Sequence, residues 1–423
     1  MDVENLIMLV CMTLLLSFIS SLIYRITRIP DVVWLMGFGI LMGSGIQYVD
    51  KSLFNELAPL MSILALSIIL FEAGINVDIV TLIDNLGKSM ALTVATVLSS
   101  ILLVGLTARL ILPHDFTLLQ GMLLGAMVGG TSTVSVFGVL SSLEKSIDNF
   151  ESAKIMLTME SIISDPLCII ASITLIKMIL QPGTSVLDGV SDIVSSFVLS
   201  SALGLVIGLS WSMVLHRLRT YRYTYMISLA ILLPSYIMSE HVVGEGAGAM
   251  TALVFGLSLT NFNFIMGKLG KPRKVRINVR RLREFHEEIV FFIKSFFFVY
   301  IGVVVTLSWR YTFVGFSIVI ILVAARYFIS TVLGKALYFT REEVAISRVV
   351  FATGLPSFVM AQLPQLYDPG GVHFLTPGLY PDICMPIVLG TILFSGLLAP
   401  YMITRELEPE GVPSLAEILP LPE

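Results

Sequence analysis

Long apolar runs with few charges recur along the whole chain, and they constrain its fold more than any other feature. A helix needs about 20 mostly apolar residues to cross the hydrocarbon core of a membrane. Of the 423 residues, 56% are hydrophobic and only 13% are charged, against about a quarter charged in soluble domains. The sequence therefore predicts an all-α polytopic membrane protein of about 13 transmembrane helices. The predicted spans lie near residues 5–24, 31–49, 56–75, 89–112, 117–140, 152–180, 193–215, 222–239, 244–264, 288–307, 311–338, 343–363 and 381–403.

The positions of lysine and arginine indicate the orientation, because cytoplasmic loops carry an excess of both. With the N-terminus outside, inside loops and helix ends hold 20 of the 26 basic residues and outside ones hold four. The most basic loop, residues 268–288, fits a cytoplasmic linker against anionic lipid headgroups better than a nucleic-acid module. We expect a multi-pass plasma-membrane protein with the N-terminus outside and the C-terminus cytoplasmic. We expect the lipid bilayer, and no nucleic acid, as a partner.

Two predicted spans carry residues that interrupt a helix. Span five contains GAMVGGTSTVSVFG (125–138), and span twelve contains FATGLPSF (351–358). Unpaired backbone at this depth is tolerated only where it faces protein or a water-filled cavity. Because the interruptions stand seven spans apart, the two helices run in opposite directions. This pattern predicts inverted-topology repeats, spans one to six and eight to thirteen, with a transport site near the membrane midplane.

Ionisable residues within the spans are few, and each is costly enough to be functional or half of an ion pair. Arginine keeps its proton and can grip a carboxylate with two donors, so one acid can be neutralised permanently. A second acid that holds either a proton or a cation, never both, is what exchange of the two requires. The five residues are Glu72, Glu160, Asp165, Lys294 and Arg326.

Span six presents a continuous polar face. Glu160, Ser161, Ser164 and Asp165 fall within an arc of about 140° on a helix. Pro166 follows directly and leaves a backbone carbonyl one turn earlier without its helical donor. Carboxylate, hydroxyl and carbonyl oxygens together are ligands for hard cations. This face is therefore a candidate cation site.

These motifs resemble the monovalent cation:proton antiporter superfamily, nearest the archaeal and bacterial electroneutral sodium:proton antiporters (NhaP-like). The resemblance implies about thirteen helices in a dimerisation domain and a mobile core domain, with two crossed, unwound helices beside the ion site. It also implies alternating access and a homodimer. The motifs that carry it are FEAG (71–74), GGTSTVSVFG (129–138), ESIISDP (160–166), KSFFFVYIG (294–302) and AARYF (324–328).

The resemblance also implies roles for single residues. Asp165 corresponds to the aspartate that binds Na⁺ or the proton, and Glu160 with Arg326 to a structural salt bridge. Ser161 and the Thr131 backbone correspond to ion ligands. Among the remaining positions, Glu72 corresponds to an acid near the site and Lys294 to a basic residue on span ten.

Three positions at the site depart from the family pattern. Ser164 precedes Asp165 where the family has Asn or a second Asp, which favours the one-charge, electroneutral type. Ser132 replaces an aspartate and could coordinate only through its hydroxyl. Gly354–Ser357 lacks the arginine that the family carries there, so one negative and one positive group are missing together. The preference among Na⁺, Li⁺ and K⁺ stays open.

The sequence predicts a proton:sodium antiporter, with lithium as a further candidate ion, without a cofactor and without enzymatic activity. A potassium:proton antiporter and a transporter-like sensor without transport are alternatives. A channel would expose rings of acids or carbonyls, whereas here the acids are single. A hydrolase would need a motif such as HExxH or GxSxG, and neither occurs.

The expected domain organisation follows from the repeats. Residues 1–403 form one membrane transporter unit. Spans one to three and eight to ten are assigned mainly to the dimerisation scaffold, and spans four to six and eleven to thirteen mainly to the ion-translocating core. Residues 404–423 are expected to form a short cytoplasmic tail.

Overall fold

The computed structural model describes residues 3–27, 30–45, 51–132, 136, 139–140, 150–181, 183, 185–218, 221, 223–270, 275–306 and 308–407. Within these residues the regular secondary structure is helical. Short π-helical turns, Leu41–Gly45 and Phe394–Leu398, continue α2 and α16. The helices are α1 Val3–Thr27, α2 Asp31–Ile40, α3 Lys51–Asn76, α4 Ile79–Ile111, α5 Leu118–Val128, α6 Phe150–Leu180, α7 Val186–Arg217, α8 Thr224–Val242, α9 Ala247–Thr260, α10 Phe262–Lys268, α11 Val279–Val304, α12 Trp309–Ala336, α13 Arg341–Val349, α14 Leu355–Ala361, α15 Leu363–Tyr367, α16 Leu379–Leu393 and α17 Ala399–Leu407.

Each of the thirteen predicted spans overlaps at least one of these helices. Five helical stretches of the described residues are long and apolar enough to cross a membrane alone, and α9 with α10, bent by 84°, would make a sixth. Of the other predicted spans, the fifth and the twelfth are divided by breaks, which leaves short helices such as α5, α13 and α14. The long ones are 85–111, α6, α7, α12 and 379–407.

Small residues bring one group of helices close together. α9 packs against α3, α7 and α8, and α11 packs against α1, α2 and α3. Gly74 lies against the backbone of Leu253, and Gly39 lies against that of Gly302. A Cβ at either glycine would collide with the facing backbone, so glycine permits these close crossings.

The second group of helices surrounds α6. α4, α5 and α6 pack against one another, and α12 packs against α4, α13 and α16. Capping boxes begin both helices that lead into the predicted breaks, with Thr117 and Gln120 on α5, and Thr340 and Glu343 on α13. The start of each interrupted helix is thus fixed by its own sequence.

Candidate functional site

The two predicted breaks are present, and they cross. α5 ends at Val128 and the chain continues without helix through Ser132, whereas non-helical residues 350–354 separate α13 from α14. The Ser132 N–H donates to the Ala352 carbonyl at 2.5 Å, and a Cβ on Gly354 would stand 2.6 Å from the Ser132 Cβ. This confirms the prediction of two broken, crossed helices. Positions 133–135 and 137–138 of the first motif lie outside the described residues.

Hydroxyl groups of α16 hold the second break in place, a feature that sequence reasoning missed. Both the N–H and the Oγ1 of Thr353 contact Thr391 Oγ1, at 3.2 Å and 3.0 Å. The Phe351 N–H donates to Ser395 Oγ at 3.3 Å. The freed backbone groups of the break are therefore partly paired with side chains, as burial requires.

Ser164 joins the first break to α6. Its Oγ accepts the Thr131 N–H at 3.0 Å and lies 3.2 Å from the Ser161 carbonyl, to which it donates. The Ser161 hydroxyl donates to the Thr158 carbonyl at 3.1 Å. Ser164 thus links Thr131 to the helix. In these bonds the Ser161 hydroxyl acts only as a donor, and its oxygen accepts none of them.

Asp165 lies directly beneath the first break. The residue is 7% exposed, and an ideal Cβ at Gly130 would stand 2.9 Å from its Oδ1. Within the described residues its carboxylate has no hydrogen-bond or ion-pair partner. A buried carboxylate without a partner must be met by water, a proton or a cation. This is the chemistry that an exchange site needs.

Glu160 and Arg326 form a buried ion pair. The Arg326 guanidinium contacts both Glu160 oxygens, with Nη2 at 2.7 Å from Oε2. Arg326 Nε also donates to the Ser347 carbonyl at 2.6 Å, near the end of α13. The pair therefore joins α6, α12 and α13 while neutralising one of the two acids of span six.

A cavity of about 500 Å³ reaches Asp165 from one end of the molecule. α6, Ser132 and residues 354–356 form one wall, and α2, α3 and α11 form the other. Of the predicted site residues, four line this cavity: Asp165, Ser132, Glu72 and Lys294. The other five do not line it: Thr131, Glu160, Ser161, Ser164 and Arg326. Its charged lining residues are Asp31, Glu72, Asp78, Glu151, Lys154, Asp165, Glu287 and Lys294.

Lys294 faces three carboxylates in this cavity. The Lys294 ammonium lines the cavity together with the carboxylates of Glu72, Asp31 and Asp165, and its charge attracts all three. Glu72 in turn accepts a hydrogen bond from Asn76 Nδ2 at 3.0 Å. Sequence reasoning missed Asp31, which begins α2 at a predicted membrane boundary and gave no signal of burial.

A second ion pair, between Lys88 and Glu343, was also missed. Lys88 Nζ lies 2.7 Å from Glu343 Oε2, and the Ser152 hydroxyl donates to Oε1 at 2.6 Å. The Glu343 side chain is fully buried. These contacts link α4, α6 and α13, and the capping motif at Thr340 was the only available sequence signal for Glu343.

A helical membrane protein in which two broken helices cross beside a buried carboxylate has the architecture of a secondary transporter. The family model for the transmembrane part of sodium/hydrogen exchangers matches residues 12–408. The chain belongs to this family, which confirms the resemblance seen in its motifs. It is thus a multi-pass membrane protein of a transporter family.

The relatives include antiporters named for two different cations. The K(+)/H(+) antiporter NhaP2 of Shewanella sp. (strain ANA-3) is 29% identical over 264 residues, which cover 60% of this chain and 43% of that one. The Na(+)/H(+) antiporter ApNhaP of Aphanothece halophytica is 25% identical over 305 residues, which cover 71% and 54%. The chain spans about half the length of the curated relatives it matches.

The sodium proton antiporter MjNhaP1 of Methanocaldococcus jannaschii, in its structure at pH 8, superposes with a TM-score of 0.78 at 17% identity. The match covers 96% of this chain and 100% of that one. This similarity confirms the predicted fold class.

Proposed function

We propose that this protein is a secondary active antiporter that exchanges protons for sodium ions across the cell membrane by alternating access. The observation that carries the proposal is Asp165, a buried carboxylate on a cavity wall, without a protein partner among the described residues. Such a group can hold a cation or a proton and release it to water. The chain is proposed to perform no enzymatic reaction and to need no cofactor.

The charges at the site support electroneutral exchange. Glu160 is neutralised by Arg326. Ser132 stands where the resemblance implies an aspartate, and Ser164 stands where it implies Asn or a second Asp. Asp165 is then the one carboxylate of this face that is able to exchange its ligand. One sodium ion for one proton follows, with Ser161 and the Thr131 backbone proposed as further ligands.

We propose that α1–α3 and α8–α11 act as a scaffold that forms a homodimer, and that α4–α6 and α12–α17 act as the moving core. The cavity lies between these scaffold helices and core helices. Its mouth carries Asp78, Glu151 and Glu287, which lie at the ends predicted to be cytoplasmic. The described conformation is thus proposed to be open to the cytoplasm.

Proton flux in proteoliposomes with an acid interior tests the proposal. Sodium should dissipate the gradient, Asp165→Asn should abolish this effect, and clamping the membrane voltage should not change it. Asp192→Asn, which alters an exposed carboxylate on α7, is the matched control and should transport normally.

Other outcomes would change the proposal. Dissipation of the gradient by potassium alone would support exchange through the same mechanism, with potassium as the transported cation, as named for the NhaP2 relatives. No flux with sodium, lithium or potassium from a folded, inserted protein would contradict antiport and favour a sensor.

A further inference from the structure

The cavity ends at Asp165. Along α6 its lining residues run from Glu151 to Asp165, and along α11 they run from Glu287 to Phe298. The last turns of both helices, toward Leu180 and Val304, do not line it. Among the described residues, this cavity therefore does not reach the opposite end of the molecule, where scaffold and core helices contact each other.

Among the described residues, several polar links cross between scaffold and core at this end, and one of them joins the side chains of Tyr367 on α15 and Glu245. The Tyr300 hydroxyl of α11 donates to Gln362 Oε1, between α14 and α15, at 3.0 Å. Lys177 Nζ, in the last turn of α6, lies 3.6 Å from Glu245 Oε2, in the turn between α8 and α9. The Lys177 and Glu245 side chains are 42% and 48% exposed, so their attraction is weak and easily broken.

Glu240 fixes the turn that carries Glu245. Its two carboxylate oxygens accept the N–H groups of Gly246 and Gly248, each at 2.8 Å. Gly244 and Gly246 have φ angles of +139° and +89°, which favour glycine and allow the tight turn. The carboxylate thus holds the turn in one conformation.

The turn lies directly on α6. An ideal Cβ at Gly246 would stand 3.7 Å from the Ile173 Cβ and 3.5 Å from the Ile170 Cα. Ile170 and Ile173 are themselves buried, and they lie between Asp165 and the C-terminal end of α6. A passage from Asp165 to this end would require the turn and α6 to separate.

We infer that the Tyr300–Gln362 and Lys177–Glu245 links form an outer gate, and that Glu240 is a positioning residue for it. The inference rests on the proposed alternating access, in which core and scaffold separate at this end once per cycle. The links hold the gate shut while the cavity is open at the other end.

A disulfide between Ile173→Cys and Gly246→Cys tests whether the gate opens. The 3.7 Å Cβ separation lies within the range of about 3.5–4.5 Å found in disulfides. Cys11→Ser serves as the background, because Cys11 is exposed whereas Cys168 and Cys384 are buried. Oxidation should lower cation-driven proton flux at least ten-fold, and a reductant should restore it. The single-cysteine variants should not respond to oxidation.

Full cross-linking with unchanged flux would overturn the inference, because α6 and the turn would then stay together during transport. The Cys11→Ser parent shows whether transport occurs at all, and the reduced double variant shows whether a cysteine at position 246, where φ is +89°, still permits it. If neither carries flux with any cation, the proposed function fails rather than the gate.

A labelling assay tests the gate without transport. Ile173→Cys should react with a membrane-impermeant maleimide added from the outside several-fold faster when Tyr300→Phe or Glu240→Gln is also present. Tyr311→Phe, on α12, is the control for loss of a hydroxyl and should not change the rate. Equal rates in all variants would overturn the inference, whether or not a disulfide can form.

Discussion

A carboxylate and a guanidinium that are buried together are costly to part, because removing one leaves the other charged in a site without water. Glu160 and Arg326 are in this position, at 0% and 4% exposure. Glu160→Gln should lower the free energy of unfolding by about 3–5 kcal/mol, and Arg326→Gln should act similarly. Thermal unfolding in detergent measures both effects.

The double variant Glu160→Gln/Arg326→Gln checks the cause. Without charge on either side, it should be less destabilised than the sum of the single variants, because the two residues are in contact. Additive losses would show that each side chain contributes by packing alone.

Asp368, in the connection between α15 and α16, makes stability depend on pH. The N–H groups of Phe374, His373 and Val372 donate to its carboxylate, with the Phe374 bond having the largest effect, and hold its pKa below the usual value. A lowered pKa adds stability that is present above the unfolded value of about 4 and is lost as pH falls through the folded value.

Asp368→Asn should therefore lower the melting temperature at pH 7, and the difference from the wild type should shrink below about pH 4. Melting curves of both proteins between about pH 3 and pH 7 measure this. A difference that stays constant over the whole range would exclude the carboxylate charge as its cause.

Single residues could be singled out from the sequence where a charge stood alone in an apolar run. Asp165, Glu160 and Arg326 stand out in this way, and the structure places the last two together. Lys88 and Glu343 gave no such signal, because each lies at the edge of a predicted span and 255 positions separate them. A contact between distant helix ends depends on tertiary packing, which a single sequence does not show.

At the scale of elements, the crossing of the two breaks depends on Gly354. A methyl group there would stand 2.6 Å from the Ser132 Cβ, so Gly354→Ala should push the two backbone segments apart beside Asp165. We expect cation-driven flux to fall at least ten-fold while the protein stays folded. Gly378→Ala, before α16, is the matched control, since nothing lies within 4 Å of its Cβ position. Normal flux in Gly354→Ala would show that the crossing tolerates a wider spacing.

Both breaks could be predicted because glycine and proline interrupt an apolar run in a recognisable way. The partners of the freed backbone could not. Thr391 and Ser395 look like ordinary small residues of membrane helices, and Ser164 was predicted as an ion ligand, not as the acceptor of the Thr131 N–H. Helix length was a poor guide for the same reason. α5 has only 11 residues, because the chain leaves the helix at the crossing.

At the scale of the whole molecule, the cavity mouth and the basic loops should lie on the same side of the membrane. Thr81 lines the cavity, whereas Trp309, at the start of α12, is 85% exposed at an end predicted to lie outside. In the Cys11→Ser background, Thr81→Cys should react with an impermeant maleimide in inside-out vesicles only. Trp309→Cys should react in right-side-out vesicles only. The 20-to-4 distribution of basic residues predicts this orientation, because cytoplasmic loops carry an excess of lysine and arginine. Reversed labelling would contradict the predicted orientation and place the cavity mouth outside.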